Sequence, residues 1–151
     1  MEITFRKASA NDSLVIAQLS SQLGYPAKEN QIIERLIKIL AQEDHIVYVA
    51  EYTGKVIGWV HAHARYLIES HPYIEIGGLI VDSHFRGQSI GKKLVNYCED
   101  WAISLGFEEI RVRTNEKRLE TLKFYDNIGF EHTKSQHVFK KVLSSKTLAC
   151  K

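Results

Sequence analysis

The chain has 151 residues, 44% of them apolar and 25% charged, a mixture that suits one domain with one sizeable core and excludes a disordered or fibrous chain. Its formal net charge is +2, from 20 Lys and Arg against 18 Asp and Glu, which is too small to argue for a nucleic-acid partner. Cys98 and Cys150 make no disulfide framework and suit a reducing compartment. The opening MEITFRKASANDS has no apolar h-region and no long uncharged apolar run follows, so the chain reads as cytoplasmic, with no membrane partner.

In chain order, Ile3 to Ala8 reads as a strand. Asn11 or Asp12 can cap a helix that ends near Gly24, and Tyr25-Pro26 makes a turn. Ile32, Ile33, Leu36, Ile37 and Leu40 are spaced for one face of a second helix. IVYVAEY, then Thr53-Gly54, then KVIGWVHAHA predicts a hairpin. Tyr73 to Val81 is the next strand, and Gly77-Gly78 in it predicts a bulge or a close backbone approach. Ile90, Leu94, Cys98, Trp101 and Leu105 recur at helical spacing up to Gly106. Glu109 to Thr114 is a strand, and a short helix runs to about Ile128, before Gly129. FEHT and HVFKKVL are predicted to be closing strands. Residues 1–143 are expected to form one domain, with 144–151 as a frayed tail.

The stretch RGQSIGKKL, residues 86–94, opens the third predicted helix. A helix N-terminus offers unpaired N–H groups and partial positive charge, and glycine lets backbone approach a phosphate. A Walker A loop does not fit: Gly87 to Gly91 is one residue short, and Lys93 stands where a hydroxyl should meet magnesium. The dinucleotide pattern G-x-G-x-x-G is absent.

Arg86-Gly87-Gln88-Ser89-Ile90-Gly91 resembles the acetyl-CoA loop of the GNAT superfamily of N-acetyltransferases, R/Q-x-x-G-x-G/A, preceded by the strand GLIVD and followed by an amphipathic helix. Thr114 to Glu131 resembles the family's other signature, with Asn115, Phe124, Tyr125, Gly129 and Phe130 in place. The resemblance covers roughly residues 2–143 and is nearest in pattern to small-amine enzymes of the aminoalkylphosphonate type. It implies an α/β (α+β) fold: a mixed, mostly antiparallel central sheet with helices on both faces and a splayed strand pair holding acetyl-CoA. It implies acetyl transfer from acetyl-CoA to a primary amine of a small molecule, with no metal. A protein lysine or N-terminal acceptor, and a non-catalytic CoA-binding regulatory module, are the alternatives. Similar enzymes are often homodimers, which makes a homodimer an expectation without a named interface.

The resemblance also implies roles. Leu79, Ile80 and Val81 would pair with pantetheine, and a bulge at Gly77-Gly78 would open the slot for it. The backbone of Arg86, Gly87, Gln88, Ser89, Ile90 and Gly91 would cradle the pyrophosphate. Ser89 stands where the motif has glycine, and it is expected at φ < 0, since a left-handed serine costs about 1–2 kcal/mol. Lys92, Lys93, Lys117 and Arg118 are candidates for the nucleotide phosphates, and Asn115 and Phe124 for the cofactor wall. Acetyl transfer needs a base for the ammonium and an acid for the departing thiolate. Glu75, eleven residues before Arg86, is expected as the base, with a pKa raised by desolvation. Tyr125 is expected as the acid, its phenol protonated at neutral pH, with Phe124 the better core residue. His61, His63 and His71 are rivals, as a base or as a three-nitrogen zinc site. Tyr25, His71 and Tyr73 are expected at the acceptor, with Glu29, Arg65, Tyr66 and Glu69 lining it.

Overall fold

The alternating segments pair into one sheet in chain order. Its strands are β1 (Thr4–Lys7), β2 (His45–Tyr52), β3 (Lys55–Arg65), β4 (Tyr73–Val81) and β5 (Ile110–Val112). The computed structural model describes residues 2–22 and 28–144. The first four strands are antiparallel to their neighbours, and β5 joins β4 in parallel. Four helices accompany them: α1 (Ser13–Ser21), α2 (Glu29–Leu40), α3 (Ile90–Ser104) and α4 (Leu119–Asn127). The chain divides into two compact units, Met1–Arg113 and Thr114–Lys151. The first holds the whole sheet with α1, α2 and α3, and the second holds α4.

The hairpin closes as its sequence predicts. Thr53 and Gly54 take φ of 50° and 79°, both left-handed, as a two-residue turn matching strand twist requires. Cross-strand pairs then assign the two faces. Val47 faces His61 and Val49 faces Trp59. On that side Leu19 packs with Val49, Val56 and Ile80, and Ile16 and Leu36 pack with Val47, so α1 and α2 cover this face. Tyr48 meets Tyr97, and the space over Gly58 is bounded by Leu94, so α3 covers the other. Leu94, Val95 and Cys98 are fully buried there. Each such aliphatic side chain contributes about 1.5–3 kcal/mol on burial.

Several elements differ from the sequence reading. Residues 130–144 form no strand. Val138 and Phe139 are 85% and 92% exposed; alternation without a ladder partner does not make a strand. The strand expected over 109–114 shortens to Ile110–Val112. On α2 only Leu36 is buried, while Ile37 and Leu40 stay exposed. Asp12 sits at the start of α1 but does not cap it through its side chain. Its carboxylate instead accepts two bonds from Arg6, at 2.9 and 2.8 Å, and one from the Ser9 N–H at 2.8 Å. The expected end of α1 at Gly24 and the tail from 145 onward lie outside the described residues.

Candidate active site

Strand β4 is paired on both edges only at its start. Ile74, Glu75 and Ile76 face Ile110, Arg111 and Val112, and from Gly77 onward β4 has no partner on the β5 side among the described residues. The β3 register jumps at the same point: His61 faces Gly78 and Ala62 faces Ile76, leaving Gly77 as an inserted residue. A bulge bends its strand, and it falls at the double glycine, as the sequence predicts. Both glycines also permit close approach. A Cβ on Gly77 would lie 2.9 Å from His61 Nδ1, and one on Gly78 would lie 2.8 Å from the Trp59 ring. Leu79, Ile80 and Val81 therefore follow an open backbone edge, where Val81 O already accepts from Arg86 Nε at 3.3 Å.

The loop after β4 is fastened by Asp82. Its Oδ1 accepts from the His84 backbone N–H and contacts Nδ1 of that ring, each at 3.0 Å. The His84 N–H hydrogen bond, ahead of the ring contact, holds the Asp82 carboxyl below its usual range. Gly87 then takes φ 81°, and Ser89 takes φ 62° with ψ 18°. The expectation of φ < 0 at Ser89 is wrong: the serine adopts the left-handed geometry that the motif glycine would supply. A left-handed residue followed by a helical one turns successive N–H groups into a shared concavity for an anion. Ile90, Gly91 and Lys92 open α3, where the first N–H groups have no partner within the helix. Lys92 and Lys93 are exposed beside it. This backbone fits a pyrophosphate.

Glu75 lies on the α1/α2 face, 8% exposed. It sits among basic side chains: Arg65 Nη1 is 3.4 Å and His63 Nε2 3.6 Å from Oε2, and Arg113 Nε is 3.2 Å from Oε1. Arg111 faces Glu75 across the β4–β5 ladder, bonds Glu109 at 2.8 Å and lies 3.9 Å over the Tyr73 ring. Tyr73 is 2% exposed and forms the floor under Arg111 instead of an open wall.

His61 and His63 share a face, as their spacing predicts, but their third member is His45 and not His71. The three rings stack with centroids 5.0–5.3 Å apart and interplanar angles of 13–25°. His45 Nδ1 and His61 Nε2 share a hydrogen bond of 2.9 Å. Stacked rings do not converge their lone pairs, and no group of described residues is arranged to hold a metal ion. Burial, then the neighbouring His63 and His45, pushes His61 down to about 4. Burial and His63 also lower His45. His71 instead lines a surface cavity of about 410 Å³ with Tyr66, Phe107 and Glu109.

Glu29 and Glu69, expected to line the acceptor, are exposed in the first unit, and the other expected residues belong to the second unit or fall outside the description. Asn115 Oδ1 accepts from the Lys117 N–H at 2.9 Å, an Asx turn ahead of α4. Lys117 is exposed. Tyr125 is 8% exposed, with its ring edge-on to Phe124 at 5.0 Å and Phe130 at 5.3 Å. Phe124 is only half-buried, so the expectation that Phe124 is the better core residue is reversed. Tyr25 lies outside the described residues. The sequence reading passed over His45, Arg111 and Arg113. The two arginines carried a signal, since R-x-R on a strand points both side chains to one face; His45 needed the register.

A family model described as the acetyltransferase (GNAT) family matches residues 15–130. The aminoalkylphosphonate N-acetyltransferase of Salmonella typhimurium is 29% identical over 123 residues, 80% of this chain and 77% of the relative. An uncharacterized N-acetyltransferase of Escherichia coli, YjgM, is 27% identical over 123 residues, 78% of this chain and 73% of the relative. Among solved structures, an aminoglycoside N-acetyltransferase, AAC(6')-Iy, in complex with CoA superposes with a TM-score of 0.84 at 21% identity, covering 93% of this chain and 95% of the other.

Proposed function

This chain belongs to the acetyltransferase (GNAT) family, and from that premise we propose that it acetylates the primary amine of a small molecule by direct attack. It is an acetyl-CoA-dependent N-acetyltransferase of mixed α/β fold. One observation supports the reading: the bulged β4 is followed, within one loop, by a left-handed turn at the start of α3, the two features that a pantetheine slot and a pyrophosphate cradle would need. Bound acetyl-CoA supplies the acyl group and a thiol leaving group. Leu79 and Ile80 would hold it by backbone, and the N–H groups from Gly87 to Gly91 would hold its phosphates.

In this reading Glu75 Oε2 takes the proton from the acceptor's ammonium, with His63 and Arg65 orienting the carboxylate. The Tyr125 hydroxyl returns a proton to the departing thiolate. Asn115 and Lys117 in the turn before α4 are assigned to the cofactor, and His71, on its cavity, to the outer acceptor wall. The small-molecule acceptor is favoured by the relative named for aminoalkylphosphonate. A screen of primary amines and lysine peptides for thiol release from acetyl-CoA tests the proposal. Turnover of small amines is the expected result; turnover of peptides alone, or CoA binding without turnover, would reject it.

A further inference from the structure

At the β3–β4–β5 end of the α1/α2 face the charges do not balance. Arg65, Arg111 and Arg113 are three guanidinium groups, and the carboxylates that pair with them are two, Glu75 and Glu109. Glu109 takes Arg111, which is also laid flat on Tyr73. Arg65 and Arg113 share the single carboxylate of Glu75 from opposite oxygens. Arg65 spends one Nη1 hydrogen there at a long 3.4 Å, and Arg113 approaches through Nε without hydrogen-bond geometry. A guanidinium has five N–H donors. Most of those on Arg65 and Arg113 are therefore uncommitted, and their side chains are 31% and 56% exposed while Glu75 is buried beneath them. Donors held in fixed forks above one carboxylate suit a planar or tetrahedral oxyanion.

Resting on the acetyl-transfer reading above, we propose that the acceptor is a primary amine bearing an anionic group, a carboxylate or phosphonate, which Arg65 and Arg113 grip while the amine meets Glu75. The arrangement links specificity to chemistry. An anion that draws the N–H groups of Arg65 and Arg113 toward itself loosens their hold on Glu75, leaving that carboxylate freer to accept the ammonium proton. A cationic amine meets the surplus positive charge and gains nothing from either arginine.

The test compares β-alanine and aminoethylphosphonate with propylamine and diaminopropane, with thiol release from acetyl-CoA as the readout. The anionic amines are expected to exceed propylamine in kcat/KM by roughly tenfold or more, through charge-assisted bonds that weaken with salt. Arg113→Gln, at an exposed position, is expected to collapse that ratio toward unity, and Arg113→Lys to restore it in part. Equal or better turnover of propylamine or diaminopropane overturns this inference and leaves acetyl transfer standing, as does an undiminished preference in Arg113→Gln. No release with any amine overturns the acetyl-transfer reading and this inference with it.

Discussion

Serine is an unusual residue to find left-handed, and Ser89 holds that geometry without a side-chain hydrogen bond to cap the helix it precedes. The backbone conformation costs a serine about 1–2 kcal/mol, and glycine would relieve it while loosening the unfolded chain by about 0.5–1 kcal/mol. Ser89→Gly should therefore raise stability by roughly 0.5–1 kcal/mol, or about 1–4 °C in Tm, whereas Ser89→Ala should bring no gain. Thermal unfolding of the two variants checks this, and a more stable Ser89→Ala would remove strain as the cause. Position 89 was legible as a departure from a glycine motif, but its conformation was not, because a local sequence does not state φ. Tyr125 poses a different question. Its ring packs against Phe124 and Phe130, so only its hydroxyl separates a structural role from a chemical one. Tyr125→Phe should lower kcat at least about tenfold, the lower part of what a general acid supplies, with little change in acetyl-CoA affinity. Full kcat in that variant would take Tyr125 out of the chemistry.

Among elements, β4 does most to organise the proposed site. Its bulge depends on two residues that admit no side chain: Gly77 against His61, and Gly78 against Trp59. Trp59 packs beside Leu19, Val49, Val56 and Ile80, so the ring would have to shift against that cluster. Gly78→Ala should destabilise the fold by about 1–3 kcal/mol, the usual cost of overpacking, and weaken CoA binding as the open edge shifts. Denaturant unfolding and calorimetric titration with CoA read the two effects; an unperturbed Gly78→Ala would mean that the ring moves aside freely. The bulge was legible because paired glycines in an otherwise β-branched strand have few other uses. The long strands were legible from alternation and the helices from apolar spacing and terminal glycines. The closing strands were misread because alternation in residues 137–143 states which side chains would share a face, not whether a neighbour exists to pair with. The charged end of the α1/α2 face was hidden for a related reason: Glu75, Arg111 and His63 meet only through register.

At the scale of the molecule, acid stability should follow two groups of residues in two windows. Asp12 is held below the usual carboxylate range, first by its hydrogen bonds from Arg6, and Asp82 by the His84 N–H. Both contribute stability that is present above the ordinary carboxylate pKa and lost as pH falls through their lower folded values. His61 acts earlier. Its pKa falls from 6.5 in the unfolded chain to about 4 in the fold, because burial disfavours the imidazolium and His63 and His45 add like charge. Above pH 6.5 both states are neutral there and stability is complete. As pH drops below that value the unfolded chain takes up a proton that the folded chain refuses, so stability declines until pH reaches about 4. A shift of this size corresponds to roughly 3–3.5 kcal/mol when fully developed. His45 adds to the same window, since it shares the hydrogen bond with His61 and is lowered too. Beyond His63 lie Glu75, Arg65 and Arg113, the charged neighbours of this cluster. Urea unfolding at about pH 7.5 and about pH 5 should show the wild-type chain losing stability by roughly 1–2 kcal/mol between them. His61→Gln keeps a hydrogen-bonding group toward His45 but cannot titrate, so its loss over the same interval should be at least halved. An equal loss in His61→Gln would place the acid sensitivity elsewhere, with His45 the next residue to exchange.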